Sequence, residues 1–310
     1  MEVVHGYRDL PRPLVRAAIA IGNFDGVHVG HAALIAAARA ATDGDVGVLT
    51  FEPHPAQVLA PHAAPARLTT PARKLELLAA AGVDVVVVAP FTRELAAHTA
   101  TAFVDEILAG ALAARHVVVG ADFCYGRGRA GTVATLTADG ARAGFATIVV
   151  PPVLVGDRPA SSTRARAALT AGDLDGARAV LGHGYDVDGV VVRGAGRGKG
   201  LGIPTANVAP DGAILASPGI YAVTLARLDR GGAPLPAVAS LGTNPTFVEG
   251  GGLVLEVHVL DFDADLYGER VRVEFVARLR DEARYDSVAA LLAQIDRDIA
   301  DARARLSGSR

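Results

Sequence analysis

The sequence predicts two folded units of different class: an α/β domain built on a doubly wound parallel sheet, then an antiparallel β-barrel with a terminal helix. Three observations lead there. At 310 residues the chain is longer than one core usually supports. Its first part alternates short β-rich runs with Ala- and Leu-rich helical stretches, and beyond "GHGYDVDG" those helical crossovers stop. The change of texture puts the boundary near His183, giving domains 1–183 and 184–310.

Taken in order, "AAIAIG", "VGVLTF", "VDVVVVAP", "ARHVVVGADF" and "FATIVVPPVLV" are the strands of the first unit, and the segments between them are long enough for crossover helices. In the second unit "GVVVR", "GIYAVTLARL", "PAVASLG", "LVLEVHVLDF" and "RVRVEFVARL" are strands divided by Gly, Pro and Asp turns. Val271, Val273 and Phe275 alternate with Arg272, Glu274 and Val276, so one face is buried and the other wet. The tail carries Val288, Leu291, Leu292, Ile295, Ile299 and Leu306 at helical spacing, with Asp286 or Ser287 as N-cap, and is expected to pack on the barrel.

Composition narrows the function classes. Aliphatic stretches such as Val85 to Ala89 are far below the roughly 20 residues of a membrane span. No basic cluster followed by an apolar run opens the chain, so no secretory signal is expected. Cys124 is the single cysteine, which excludes an internal disulfide and a cysteine-based zinc site and suits a reducing cytosol; it is expected as a buried small hydrophobe. Thirty basic and 33 acidic residues, interspersed to a net charge of −3, give no general reason for nucleic acid or an anionic membrane as partner. The expectation is a cytoplasmic protein whose anionic ligands are held by local sites, with homo-oligomerisation left open.

The stretch "AIGNFDGVHVGH", Ala20 to His31, ends one β run and opens the helical run "HAALIAAARAA". Gly22, Gly26 and Gly30 permit a tight turn and close approach of a ligand to the backbone. A helix amino terminus offers N–H groups and the positive end of its dipole, and phosphate is the guest such a place favours. Imidazoles at His28 and His31 are able to donate to phosphate oxygens as charge builds on them in a transition state. Two readings stand beside this one: ordinary polar residues at a helix start, and zinc ligands, for which no third ligand is evident.

A second constellation, "GAGRGKGLGIPTAN" from Gly194 to Asn207, does not fit the G-x-x-x-x-G-K-[ST] phosphate loop, because Gly200 follows Lys199. A plain flexible hairpin is one reading. The other starts from Thr205 and Asn207, whose hard oxygen donors two residues apart suit a magnesium ion otherwise bound by water and phosphates. Glu256 shares a strand face with Val254 and His258. If that face lies inside, the carboxylate is more than a surface charge; a satisfied structural Glu is the alternative.

Read whole, "GNFDGVHVGH" resembles the G-x-F-D-G-x-H-x-G-H signature of the bacterial bifunctional riboflavin kinase/FAD synthetase family. "TFEPHP", "VGADFCYG" and "SSTRAR" resemble the remaining adenylylation segments in the family's order, and "PTAN", "GIYAV", "LGTNPTF", "LEVHVLDF", "LYG" and "LRDE" resemble its kinase module, so the likeness spans nearly the whole chain. Cys124, Tyr125, Ala165, Lys199 and Ile203 depart from the residues common in the family. The resemblance implies a nucleotidylyltransferase-like, Rossmann-like first domain and a barrel kinase second domain. It implies phosphorylation of riboflavin to FMN and adenylylation of FMN to FAD, with ATP as co-substrate and Mg2+ as cofactor. In the first domain it implies His28 and His31 as catalytic residues, ATP and phosphate contacts from Gly22, Phe24, Asp25, Gly30, Ser162, Thr163 and Arg166, and flavin contacts from His54, Asp122 and Phe123. In the second it implies ATP contacts from Gly198, Lys199, Gly200 and Thr205, metal at Thr205 and Asn207, Glu256 as base, and flavin contacts from Arg280 and Glu282.

Plain turn and cap readings of "FEPHP" and "SSTRAR" remain beside these roles, as does a solvated loop for "LRDE". Two rival functions are weighed too. One is a nucleotidylyltransferase for another phosphate acceptor with an idle β domain, against which the set Thr205, Asn207 and Glu256 speaks. The other is a flavin-binding sensor, against which the intact His28, His31, Asn207 and Glu256 speak.

Overall fold

Val85 to Ala89 reads as unbroken apolar sequence because the strand it forms is covered on both faces, the usual state of a parallel strand between two helical layers. The computed structural model describes residues 1–8, 10–194, 202–243 and 253–308. By packing they form two compact units, Met1–Ala66 with Pro71–Ser161, and Arg67–Thr70 with Ser162–Arg310.

The first unit is a six-stranded parallel sheet of β1 (Glu2–His5), β2 (Ala18–Ile21), β3 (Val46–Glu52), β4 (Val85–Pro90), β5 (His116–Gly120) and β6 (Ala146–Val150), in the order β1-β4-β3-β2-β5-β6. Side chains alternate cleanly between two cores. Ile19, Ile21, Val85, Val87 and Val117 meet a π-type helix, Phe103–Ala111, on one face. Ala18, Ala20, Val86 and Val118 meet α1 (Val29–Ala41) and α2 (Pro71–Ala80) on the other, through Leu34, Ile35 and Leu78. Each fully buried aliphatic contributes about 1.5–3 kcal/mol. Chain order runs outward one way from β2 to β4 and then jumps across to β5, so connectivity reverses between β2 and β5. Strand β1, at the sheet edge, has no counterpart among the predicted strands.

The second unit holds a closed antiparallel barrel of β7 (Tyr185–Val192), β8 (Ala206–Pro210), β9 (Gly219–Arg227), β10 (Leu235–Thr243), β11 (Leu253–Val259) and β12 (Arg270–Arg280), ordered β7-β8-β11-β10-β9-β12. Val271, Val273 and Phe275 are interior as predicted, with Tyr221 edge-on to Phe275 at 5.1 Å. Strand β8, which includes Ala206 and Asn207 of "PTAN", is a sixth strand beyond the five expected from the sequence. The terminal helix, Val288–Ser307, is capped by Ser287, whose hydroxyl accepts from Ala290 N–H at 3.1 Å. It lies on the outer wall with Ile299, Ala302 and Leu306 against Ile220, Ala222, Val238 and Ala277. Val288 is the exception to the predicted stripe and is 58 % exposed. Asp298 of the same helix is buried, accepting from Arg280 Nε and Nη2 at 2.8 and 2.6 Å.

The helices Ser162–Thr170 and Leu174–Leu181 belong with the barrel by packing, so the first compact unit ends before the 183/184 sequence boundary. Ser217 N–H donates to Leu169 O at 3.3 Å, and Arg178 pairs with Glu274 at 3.3 Å.

Candidate functional site

Leaving β2 at the place where connectivity reverses, residues 22–31 form a turn of unusual backbone. Phe24, Gly26 and Val27 have φ of 51°, 80° and 38°. Glycine adopts such values freely, but a β-branched valine there is strained, and strain of this kind persists where the surroundings over-determine it. Gly22 and Gly30 serve by close approach instead: a Cβ on Gly22 would lie 3.3 Å from the Phe24 ring, and one on Gly30 would lie 3.0 Å from the His28 ring.

His28 is the N-cap of α1, and its Nδ1 accepts from Gly30 N–H at 3.1 Å and His31 N–H at 3.3 Å. Those two amides are therefore not open to a phosphate, which corrects the expectation of free N–H groups at this helix start. The cap also fixes the tautomer: Nδ1 accepts, so the proton sits on Nε2 as a donor. The His31 ring stacks on His28 with centroids 3.6 Å apart, and Phe24 backs it at 4.8 Å. Burial pushes His28 down to about 4, against the pull of the buried Asp25 carboxylate. Burial, His28 and Lys74 together hold His31 well below the ordinary imidazole range. The result is a pair of neutral rings, with His31 Nδ1 buried and unpartnered among the described residues.

At the neighbouring end of β5, Asp122 and Phe123 begin the loop predicted to meet flavin, and the Asp122 carboxylate lies 3.1 Å from a Cβ built on Gly120. Phe123 is half-buried and parallel to Tyr125 at 5.6 Å. Cys124 is half-buried and free, more open than the buried hydrophobe expected. His54 caps the short helix Pro55–Leu59 by accepting from Ala56 N–H at 3.2 Å, so the turn-and-cap reading of "EPHP" describes its local role. Ser162 and Thr163 open the helix Ser162–Thr170, which also carries Arg166, within the second unit. Lys74, which sequence reasoning passed over, is 3 % exposed and pairs with Glu52 at 2.5 Å; a lysine beside leucines in an amphipathic helix gives no signal of that.

On the barrel, β8 and β11 bring the predicted kinase residues together. Asn207 stands directly opposite Glu256, with Ser240 opposite Glu256 on the far side. Leu255, Val257 and Val259 fill the interior, so Glu256 faces the outside of the wall, half-buried, and the inward-facing alternative is not met. His258 Nδ1–H donates to Pro204 O at 2.8 Å and lashes the turn before Thr205 to β11. A Cβ on Gly194 would come within 2.1 Å of the Asn207 amide, so only glycine leaves that amide its place. Among the described residues no cluster of His, Cys, Asp or Glu is arranged for a metal, but a hydroxyl, an amide oxygen and a facing carboxylate suit a hard cation that keeps its waters. Gly198, Lys199 and Gly200 lie outside the described residues. Arg280 is engaged within the fold: its Nε and Nη2 donate to the two carboxylate oxygens of Asp298 at 2.8 and 2.6 Å. Glu282 rests against Gly242, where a Cβ would meet its carboxylate at 2.0 Å.

Comparison with known proteins covers both units. A sequence model of FAD synthetase matches residues 11–164 and one of riboflavin kinase matches residues 181–306. The chain is 40% identical over 309 residues to a bifunctional riboflavin kinase/FMN adenylyltransferase of Escherichia coli (strain K12), covering 98% of this chain and 97% of that one. It is 32% identical over 306 residues to a protein of the same description from Bacillus subtilis (strain 168), covering 96% and 95%. A solved chain from Streptococcus pneumoniae, described as a macrolide-efflux protein, superposes with a TM-score of 0.87 at 29% identity, covering 98% of this chain and 99% of that one. No described helix of the present chain is long and apolar enough to cross a membrane.

Proposed function

The chain belongs to the bifunctional riboflavin kinase/FMN adenylyltransferase family, and we propose how its side chains divide the work of its two activities. It phosphorylates riboflavin to FMN and then transfers the adenylyl group of a second ATP to FMN, giving FAD and pyrophosphate.

For the kinase step the reacting group is a neutral ribityl hydroxyl, which needs a base as its oxygen attacks the γ-phosphorus. Glu256 takes that proton while the bond from phosphorus to the ADP oxygen breaks. The observation that carries this is the register placing Asn207 and Glu256 opposite one another on the outer wall. Thr205 and Asn207 would hold Mg2+, which when bound shields the phosphate charge. The segment with Gly198, Lys199 and Gly200 is assigned to ATP on its sequence alone.

For the adenylyl step FMN brings a phosphate whose second pKa is about 6, so it is already a nucleophile near neutral pH. No base is needed; alignment on the α-phosphorus and stabilisation of its developing charge are. His28 donates from Nε2–H and His31 lies stacked against it, at the carboxyl end of β2 where the sheet reverses, the place ligands occupy in open α/β sheets. Asp122 and Phe123 at the adjoining strand end are assigned to flavin, and Ser162, Thr163 and Arg166 to ATP phosphate. Arg280 is reassigned from flavin contact to holding the terminal helix.

The test is chromatography of flavins after incubation with riboflavin, ATP and Mg2+. The wild type is expected to yield FMN and FAD. A Glu256→Gln chain that still made FMN from riboflavin at the wild-type rate would remove the base assignment.

A further inference from the structure

A lysine 3 % exposed needs a reason, because a buried ammonium is retained only where it is paired and hydrogen-bonded. Lys74 reaches from α2 into a hydrogen-bonded network. Its Nζ lies 2.5 Å from Glu52 Oε1, 3.4 Å from Thr50 Oγ1 and 3.5 Å from Asn23 O. Thr50, fully buried, donates its own hydroxyl to the same Asn23 carbonyl at 3.1 Å. Asn23 is the residue before Phe24, whose φ of 51° turns the chain and whose ring backs His31 at 4.8 Å.

We propose that Lys74 is a positioning residue of the adenylylation site: with Glu52 and Thr50 it clamps the Asn23 carbonyl, fixes the strained Phe24 turn, and so holds the stacked His31 and His28 rings in place. The inference rests on the phosphate-bracing reading of those histidines. A peptide group at the head of a left-handed turn swings easily, and two donors on its one carbonyl oxygen remove that freedom. The ammonium also stands near enough to His31 to oppose its protonation. A methionine fills similar volume without either action.

Removing Lys74 alone takes the ammonium away from the Glu52 carboxylate and risks the fold, so the test uses Lys74→Met and the double variant Lys74→Met with Glu52→Gln, which removes both charges of the pair. Riboflavin phosphorylation by the same molecules reports whether the chain is intact and is expected to stay at the wild-type rate. The kcat for adenylylation of supplied FMN is expected to fall about tenfold to a hundredfold in both variants, the range typical when a group behind a working side chain is removed, with the KM for FMN changed less than about twofold. Imidazole NMR of the double variant is expected to show the His31 resonance titrating at higher pH than in the wild type. Wild-type kcat together with an unmoved His31 titration overturns the proposal. An equal rise in KM and fall in kcat also overturns it, since that is loosening of the whole site. If His31 titrates differently while kcat is unchanged, Lys74 acts on the ring as stated, and the reading of His31 as a phosphate brace is what fails.

Discussion

His31 and Glu256, the groups proposed for the two transfers, stand in opposite surroundings. The imidazole lies in the interior of a strained turn, stacked and neutral, with a buried ion pair behind it. The carboxylate stands on the outer wall of a barrel, back to back with the interior side chains Leu255, Val257 and Val259, with Asn207 opposite it on one side and Ser240 on the other. The difference follows from what each step lacks. Adenylylation starts from a competent nucleophile and needs donors that do not reorganise, which burial provides. Phosphorylation starts from a neutral hydroxyl and needs a base that the substrate can reach, which a half-buried strand face offers.

The sharpest way to break this comparison is at Glu256. Glu256→Gln is expected to lower riboflavin phosphorylation about a thousandfold while conversion of supplied FMN to FAD continues at the wild-type rate, read by flavin chromatography. Next comes His31→Ala, expected to cost adenylylation about a hundredfold and leave FMN formation from riboflavin unchanged. Undiminished FAD formation would remove the bracing role. Gly194→Ala pushes on the Asn207 amide and is expected to lower kinase turnover about tenfold, with apparent affinity for Mg2+ falling in step. A rate within twofold of wild type would mean that the amide is not needed where it stands.

The smallest effect concerns acid. Burial keeps His28 neutral to about pH 4, whereas the unfolded chain takes up that proton near 6.5. Between those values the unfolded state binds more protons, so the contribution of this group is fully present above pH 6.5 and is lost as pH falls toward 4. His28→Asn keeps a helix-capping side chain without the titration. It is expected to remove about 2 kcal/mol of the stability lost between pH 7 and 5, measured by denaturant unfolding at each pH.

Sequence legibility also differs between the two regions. The α/β half was readable because strands buried on both faces leave apolar runs, and the turn because its glycines and histidines are adjacent in the chain. Strand β1 left little trace, being four residues at an edge. Lys74 left none, since its partners Glu52 and Asn23 are brought to it by the sheet. On the barrel, alternation in β12 gave the interior face, but Glu256 among β-branched neighbours did not reveal that its face points outward. The five-residue strand carrying Asn207 is too short and too mixed in composition to stand out from the glycine-rich stretch before it. The pairing of Arg280 left no trace either, since its counter-charge lies 18 residues on in a helix whose apolar stripe gives no hint of a buried aspartate.

That clasp between Arg280 and Asp298 has a bearing on synthesis. All six barrel strands leave the ribosome before Asp298 does, so until the final helix emerges the last strand ends in a guanidinium without its counter-ion. A transcript broken or a ribosome stalled in that interval would release a molecule able to complete its nucleotidyl half, with the other half still waiting for its latch.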